Sequence, residues 1–175
     1  MKIIVPALTH TAALSELMGA TFTETFGHLY PPADLARHLG TAYAHDVIAG
    51  ELADSRNFWQ LVLDDDGTAV AYLQCIPAHL PHPDLQPDRD GEIGRIYVRS
   101  SQQGQGLGKR LMSIAVAHLG DRYGTAPQWL GVWSENLKAQ ALYRSFGFDK
   151  VGEYDFPVGE TRDLDFIFRR ISILP

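Results

Sequence analysis

The sequence predicts a single α/β domain in which helices pack on the faces of a mixed β-sheet. The chain has 175 residues, and a domain usually takes about 100–200, so one domain with a sizeable core is expected. Hydrophobic residues make up 45% and charged residues 21%, as in most folded, water-soluble proteins. Strand-like and helix-like patterns follow each other in the order β, helices, β-hairpin, β, α, β, α, β, β, which is typical of a mixed sheet.

The N-terminal third predicts one short strand followed by helices. Ile3 to Val5 form an apolar run that Pro6 ends. A helix is expected over about 9–26, where the apolar residues recur at helical spacing. They are Leu14, Leu17, Met18, Phe22 and Phe26. Pro32 opens a second helical region, which is either one helix or two short helices with a break near Asp46.

The middle of the chain changes to strand-like patterns. The residues FWQLVL (58–63) and AVAYLQCI (69–76) flank an Asp-Gly turn, which is typical of a β-hairpin. Residues 77–91 contain four prolines, which deny donors to a sheet, so this segment is a predicted loop. The next predicted strand is EIGRIYV (92–98).

The C-terminal half continues the alternation of strands and helices. A glycine-rich run opens a helix that ends near residue 120, and QWLGVW (128–133) predicts another strand. A helix is expected over about 135–146, followed by a glycine that suits a left-handed C-terminal cap. Strands near 148–154 and 164–170 complete the predicted sheet.

The charge balance and the cysteine content exclude several classes of protein. Fifteen Lys and Arg against 21 Asp and Glu give a net charge of −6, so the chain lacks the basic surface that binds nucleic acid. Its single cysteine, Cys75, excludes an internal disulfide and a cysteine-rich zinc site. No run approaches the ~18 apolar residues that cross a bilayer, and no export signal is evident. A cytoplasmic protein without membrane contact is therefore expected.

The most specific segment is Gln-Gly-Gln-Gly-Leu-Gly-Lys (103–109), between a predicted strand and a predicted helix. Glycine has no Cβ, so backbone N–H groups can approach a phosphate, and the helix N-terminus adds a partial positive charge. A Walker loop is excluded because Lys109 is followed by Arg110 where that motif needs Ser or Thr. A Rossmann turn is excluded because its third glycine is missing. The turn predicts a phosphate-binding site of another kind.

This turn resembles the signature Q/R-x-x-G-x-G/A of the GNAT acetyltransferases, with Gln103, Gly106 and Gly108 at its fixed positions. The resemblance implies acetyl-CoA as the acetyl donor, with its pyrophosphate on the turn amides and its pantetheine arm along the backbone of the preceding strand. It also implies a mostly antiparallel sheet of about seven strands, with helices on both faces and a cleft where two strands separate. The residues expected at the cofactor are Ile96, Tyr97, Val98, Gln103, Gly104, Gln105, Gly106, Leu107, Gly108, Lys109, Asn136 and Tyr143.

A second landmark covers residues 136–148, which fit the family pattern N-x-x-A-x-x-x-Y-x-x-x-G-F. Asn136 and Tyr143 are seven residues apart, so on a helix both side chains point the same way. The resemblance places Asn136 at the pantetheine or at a water near the thioester. A phenol close to the sulfur can protonate the departing thiolate, so Tyr143 is the predicted general acid.

Glu92 is the predicted general base. It lies 11 residues before Gln103, where family members with a catalytic glutamate carry it. Strict alternation along the strand would put Glu92 on the same face as Ile96 and Val98. Glu92 would remove a proton from the acceptor amine directly or through water. A solvated glutamate at the start of a strand is the alternative.

The resemblance covers about residues 57–170 and is greatest to the bacterial PaiA-type polyamine acetyltransferases, in EIGRIYV, WLGVWSEN and FPVGETRDLDFIF. It implies that the chain, residues 1–175, forms one domain that acetylates a primary amine of a small molecule, such as a polyamine. The cofactor would bind to residues 92–120 and 128–148, and the acceptor to residues 9–55 and the loop 77–90. Acceptor-side residues expected on this basis are Glu24, Phe26, His28 and Tyr30.

Several alternatives stay open at this stage. The acceptor could be a protein or peptide, and a binding module that holds acyl-CoA without transferring it is a second possibility. His79 and His82 in the loop are expected to be solvated, and no metal is predicted. Apolar residues near the C-terminus suit core packing or a homodimer contact equally well. They are Phe166, Ile167, Phe168, Ile171, Ile173 and Leu174.

Overall fold

The computed structural model describes residues 1–171, in which a seven-stranded sheet carries helices on both faces. The strands are β1 (Lys2–Ile4), β2 (Phe58–Leu63), β3 (Ala69–Pro77), β4 (Gly91–Val98), β5 (Gln128–Trp133), β6 (Asp149–Val158) and β7 (Thr161–Arg170). The helices are α1 (Thr11–Phe26), α2 (Pro32–Ala42), α3 (His45–Ala53), α4 (Leu107–Tyr123) and α5 (Leu137–Ser145), with single 3-10 turns at Leu8–His10 and Ser100–Gln102. The second helical region is divided into two helices.

The order of the strands in the sheet is β1-β2-β3-β4-β5-β7-β6. Within the described residues, every neighbouring pair is antiparallel except β4 and β5. The predicted fold, a mostly antiparallel mixed sheet of seven strands, is confirmed. The last two strands are longer than expected and form a hairpin that pairs from Val158 and Thr161 outward.

The sheet separates two cores, because neighbouring residues of its strands point to opposite faces. On one face, Leu111 and Met112 of α4 pack against Leu73 of β3. On the other face, α1 and α3 pack against Leu61 of β2 and Tyr72 of β3. The second core holds the N-terminal helices beside the C-terminal half of β4. These helices form the wall of a cavity on that side.

A β-bulge in β4 changes which of its residues share a face. The register against β3 skips Gly94, so this residue is extra and the alternation reverses there. Ile93 consequently packs in the same core as Ile96. Glu92 lies on the opposite face, in a cavity that Tyr97 also lines. The predicted face of Glu92 is therefore wrong, because strict alternation does not hold across the bulge.

The strands β4 and β5 are paired only at their beginnings. Gly91 to Ile93 lie opposite Gln128 to Leu130, and the two strands then separate. Beyond Ile93, the edge of β4 that faces β5 has no strand partner among residues 1–171. Its backbone groups are left open to a ligand that runs along the strand.

Shortening Leu111 to alanine is expected to lower the free energy of unfolding by about 2–5 kcal/mol, because this fully buried side chain would leave a cavity beneath α4. The matched control is Leu137→Ala, at a side chain that is 70% exposed, where the change should stay within about 0.5 kcal/mol. Urea unfolding followed by circular dichroism measures both. Equal losses in the two variants would contradict the assignment of the core.

Candidate active site

The turn before α4 has the backbone conformation that a phosphate cradle requires. Gly104 and Gly106 have φ of +79° and +80°, in the left-handed region that glycine adopts without strain. Gly106 is the N-cap of α4. The amides of Leu107, Gly108 and Lys109 form the first turn of the helix and therefore have no acceptor within it. These donors and the helix dipole make the turn a site for an anion.

Gln103 connects the turn to both sides of the separation between β4 and β5. Its Nε2 donates to the Val98 carbonyl oxygen at 3.2 Å, and its Oε1 accepts from Lys138 Nζ at 2.7 Å. The ammonium of Lys138 is thereby held beside the turn and adds a positive charge there. Gln105 differs from its neighbours, because its side chain donates to Gln102 Oε1 and does not line the cleft.

A cleft of about 650 Å³, here called the cofactor cleft, lies between the separated strands. Every residue that the sequence placed at the cofactor lines it, except Gln105. The lining set comprises Ile96, Tyr97, Val98, Gln103, Gly104, Gly106, Leu107, Gly108, Lys109, Asn136 and Tyr143. The structure therefore brings the turn, the open edge of β4 and one side of α5 together around one space.

Tyr143 and Asn136 enter the cleft from α5. Tyr143 is buried in the core beneath α4, and this burial raises the pKa of its phenol, so the hydroxyl keeps its proton at neutral pH. The Oδ1 of Asn136 accepts from the Ala139 N–H at 3.1 Å and caps α5. Asn136 therefore fixes the start of the helix that carries Tyr143.

A second cavity of about 640 Å³, here called the acceptor cavity, lies on the opposite face of the sheet. Phe26 and Tyr30 line it, as do parts of the loop that follows β3. Gly94 and Gly131 line both spaces, so the two cavities meet at the gap between β4 and β5. A Cβ on Gly131 would lie 2.8 Å from the hydroxyl oxygen of Tyr154, so glycine there makes room for this phenol at the junction.

Glu92 is buried in the wall of the acceptor cavity, with 3% of its surface exposed. Its Oε2 accepts from the backbone N–H of His79 at 3.0 Å and lies 3.0 Å from the Nδ1 of the same histidine. The hydrogen bond to the Glu92 carboxylate raises the pKa of His79. Glu92 therefore holds the loop 77–90 against the sheet.

Asp163 and Asp165 on β7 and Tyr154 on β6 are among the polar groups of the acceptor cavity that the sequence did not predict. Tyr154 donates to Asp165 Oδ2 at 3.4 Å, and the hydroxyl of Tyr30 donates to Asp163 Oδ2. Burial, with a smaller contribution from the charge of Asp163, raises the pKa of Asp165 to about 6. The sequence does contain a signal for the two aspartates. Asp163, Asp165 and the buried Ile167 are every second residue of one strand, so they lie on the same face of the sheet.

Two residues expected on the acceptor side lie elsewhere. Glu24 lines the cofactor cleft, where Oε1 pairs with Arg99 Nε at 2.9 Å and Oε2 accepts from the Ser100 N–H at 2.8 Å. His28 lines neither cavity and is exposed, with its ring 6.4 Å from that of Trp133. Glu24 is thus held away from the acceptor cavity by its bonds to Arg99 and Ser100, whereas Phe26 lines both cavities. His28 is displaced because α1 ends at Phe26 and the chain turns there.

The remaining expectations concern the loop and the C-terminus. His82 packs on the ring of Trp129 at 5.0 Å, and within residues 1–171 no three His, Cys, Asp or Glu side chains are arranged to hold a metal. No helix in this part of the chain is long and apolar enough to cross a membrane. Ile167 and Phe168 are buried in the cores, whereas Ile173 and Leu174 lie outside the described residues.

Comparison with known proteins identifies the family. The model of the acetyltransferase (GNAT) family matches residues 12–148. An uncharacterised N-acetyltransferase of Lactobacillus delbrueckii subsp. lactis is 34% identical over 153 residues, which is 87% of each chain. The spermine/spermidine N(1)-acetyltransferase of Bacillus subtilis is 34% identical over 74 residues, 39% of this chain and 49% of that one.

Solved structures show the same fold. The PaiA N-acetyltransferase of Thermoplasma acidophilum, crystallised with coenzyme A, superposes with a TM-score of 0.76 at 18% identity over 98% of both chains. The match to the family model spans the N-terminal helices, the glycine turn and α5, whereas β6 and β7, which also line the acceptor cavity, follow it. The chain belongs to the GNAT family of acetyltransferases.

Proposed function

We propose that the chain transfers the acetyl group of acetyl-CoA to a primary amine of a small molecule, with both substrates bound at once. One observation carries the proposal: the cofactor cleft on one face of the sheet opens into an acidic cavity on the other face, at Gly94 and Gly131. A donor along β4 and an acceptor in the second cavity would meet at this opening, and direct transfer needs such an approach.

The cofactor cleft fits coenzyme A in three respects. The turn at Gly104 and Gly106 offers backbone donors to a pyrophosphate. Lys138 adds a cation beside it. The unpaired edge of β4 from Ile96 to Val98 offers N–H and C=O groups to an amide-containing arm. Bound there, acetyl-CoA would supply a thioester, the activated form of the acetyl group.

The acceptor cavity fits a positively charged amine. Glu92, Asp163 and Asp165 line it. The two arginines that line it are already paired, Arg95 with Glu51 and Arg56 with Asp54. Carboxylates in a partly buried space lower the free energy of a bound cation. Rings such as that of Phe26 can also contact an ammonium by their faces.

A small-molecule acceptor is favoured over a protein by the size and cover of the cavity. Its volume of about 640 Å³ is in the range of small-ligand sites. The loop 77–90 covers one side and is held by the bond from His79 to Glu92. The similarity to the Bacillus subtilis spermine/spermidine enzyme, though it covers only 39% of this chain, places polyamines first among the amines to test.

Residues of this chain would carry out both proton transfers, as general acid and as general base. Tyr143 is the proposed general acid, because it lines the cofactor cleft and its hydroxyl stays protonated. A carboxylate of the acceptor cavity would take the proton of the ammonium. Glu92 is the candidate from the sequence for that role, and Asp165 is the candidate from the structure.

Incubation of the protein with acetyl-CoA and spermidine, spermine, amino acids or lysine peptides, followed by a thiol assay, tests the proposal. We expect thiol release that depends on a small-molecule amine, together with a rise in melting temperature on addition of coenzyme A alone. A rise in melting temperature without release from any acceptor would support an acyl-CoA-binding module. Release with peptides only would support a protein acetyltransferase.

Replacing Tyr143 with phenylalanine is expected to lower kcat by roughly 10²-fold, because the thiolate would then leave without a proton donor. The dissociation constant of coenzyme A should change little, since the ring remains. Tyr123→Phe removes a hydroxyl outside both cavities and serves as the matched control. Steady-state kinetics and calorimetric titration with coenzyme A measure the two quantities. An unchanged kcat in the Tyr143 variant would exclude Tyr143 from the chemistry.

A further inference from the structure

We infer that Asp165 is the general base, the group that takes the proton from the acceptor ammonium. The inference rests on the proposed function. Among the described residues, Asp165 is the one carboxylate that lines both the cofactor cleft and the acceptor cavity. Glu92 and Asp163 line the acceptor cavity only. A base must reach the amine while that amine faces the thioester, so a group at the opening is better placed than one deeper in the cavity.

The strand register fixes Asp165 at this opening. In the sheet it lies opposite Trp133, the last residue of β5, and opposite Tyr154 of β6. The hydroxyl of Tyr154 lies over Gly131, which lines both spaces, and it donates to Asp165 Oδ2. The pair formed by Tyr154 and Asp165 therefore stands where the two cavities meet.

Glu92, Asp163 and Asp165 differ in the hydrogen bonds that their carboxylates accept. Glu92 Oε2 is bonded to the backbone N–H of His79 and lies within hydrogen-bond distance of its ring. Asp163 accepts from the hydroxyl of Tyr30. Asp165 accepts one bond at Oδ2, which at 3.4 Å is the longest of these contacts. Asp165 is therefore the most weakly held of the three carboxylates, and it is the one of them that lines both cavities.

The surroundings of Asp165 suit a base that works near neutral pH. The titratable groups that interact with it are Tyr154 from β6, Asp163 from its own strand and Tyr30 from the segment after α1, and Glu92 and Arg95 of β4 line the same cavity. Burial and the charge of Asp163 raise its pKa to about 6. The carboxylate is then ionised at pH 7 and above, and it is more basic than an exposed aspartate.

The proton transfer balances without a further reactant. An N–H bond of the ammonium breaks, its proton bonds to an oxygen of Asp165, and the electron pair stays on nitrogen to form the N–C bond to the acetyl group. The sulfur keeps the pair of the broken C–S bond and takes the proton of Tyr143. Asp165 then returns its proton to solvent through the open acceptor cavity, and the Tyr143 phenolate takes, directly or through water, the second proton that the nitrogen loses as the amide forms.

Kinetics of Asp165→Asn with the amine that gives the fastest thiol release test the role in catalysis. We expect kcat to fall at least 10²-fold. In the wild type, kcat/KM should rise with pH up to a plateau above about 6. In the variant this rise should be absent, and kcat/KM should increase only at higher pH, where the amine is unprotonated in solution. Asp163→Asn is the matched control on the same face of the same strand, and we expect it to raise KM with a smaller effect on kcat.

A second measurement is independent of activity. Because the pKa of Asp165 is higher in the folded chain than its usual value near 4, folding favours the protonated form. This contribution to stability is present below pH 4 and is lost as the pH rises towards 6. Asp165→Asn, which cannot ionise, should therefore melt at a higher temperature than the wild type at pH 7.5 and at a similar temperature at pH 4.

Each outcome decides the question. Near-normal kcat in Asp165→Asn, in an active wild type, would overturn the inference and leave the proposed function standing. A loss of the pH limb in Glu92→Gln, but not in Asp165→Asn, would assign the base to Glu92 instead. If the wild type released no thiol with any amine while binding coenzyme A, the proposed function would fail and the inference with it. Equal melting temperatures of wild type and variant at pH 7.5 would show that Asp165 is not in the environment that the argument requires.

Discussion

The site depends on the separation of β4 and β5 after only three paired residues. A continuous sheet would isolate its two faces, because paired strands leave no gap for a reacting group. The separation leaves one edge of β4 open to a cofactor and joins the cavities on the two faces at Gly94 and Gly131. Helix α5, which Asn136 caps, lies on the far side of the gap, and its residue Tyr143 lines the cleft there.

The same region shows what the sequence could predict and what it could not. The glycine turn was predicted because Gly104 and Gly106 encode a local backbone conformation, and the α5 residues because helical spacing is local as well. The family resemblance supplied the separation of the strands. The bulge at Gly94 was not predicted; a glycine inside a strand pattern often marks a bulge, but the register shift itself depends on the neighbouring strand.

The acceptor side was harder to predict because its residues meet through long-range contacts. Tyr30 and Asp163 are 133 residues apart and are joined only by the fold. Glu24 is likewise held at the cofactor cleft by contacts with Arg99 and Ser100, which lie far from it in the sequence. The two aspartates of β7 were not predicted at the site, because the sequence does not show that β7 lies between β5 and β6 inside the sheet.

The acceptor cavity contains Glu92, Asp163 and Asp165, besides Glu51 in its ion pair with Arg95 and the exposed Asp88, and the fold must tolerate these charges. Each charge loses hydration on burial, and the cost is reduced where a donor replaces water. Glu92 and Asp163 have such donors in His79 and Tyr30, but Asp165 has only a long bond from Tyr154. A bound ammonium would supply the missing donor and lower the pKa of Asp165 again. Asp165, the carboxylate with the weakest hydrogen bond, therefore gains most from a bound ammonium. In the proposed reaction the same group would bind the cation and take its proton.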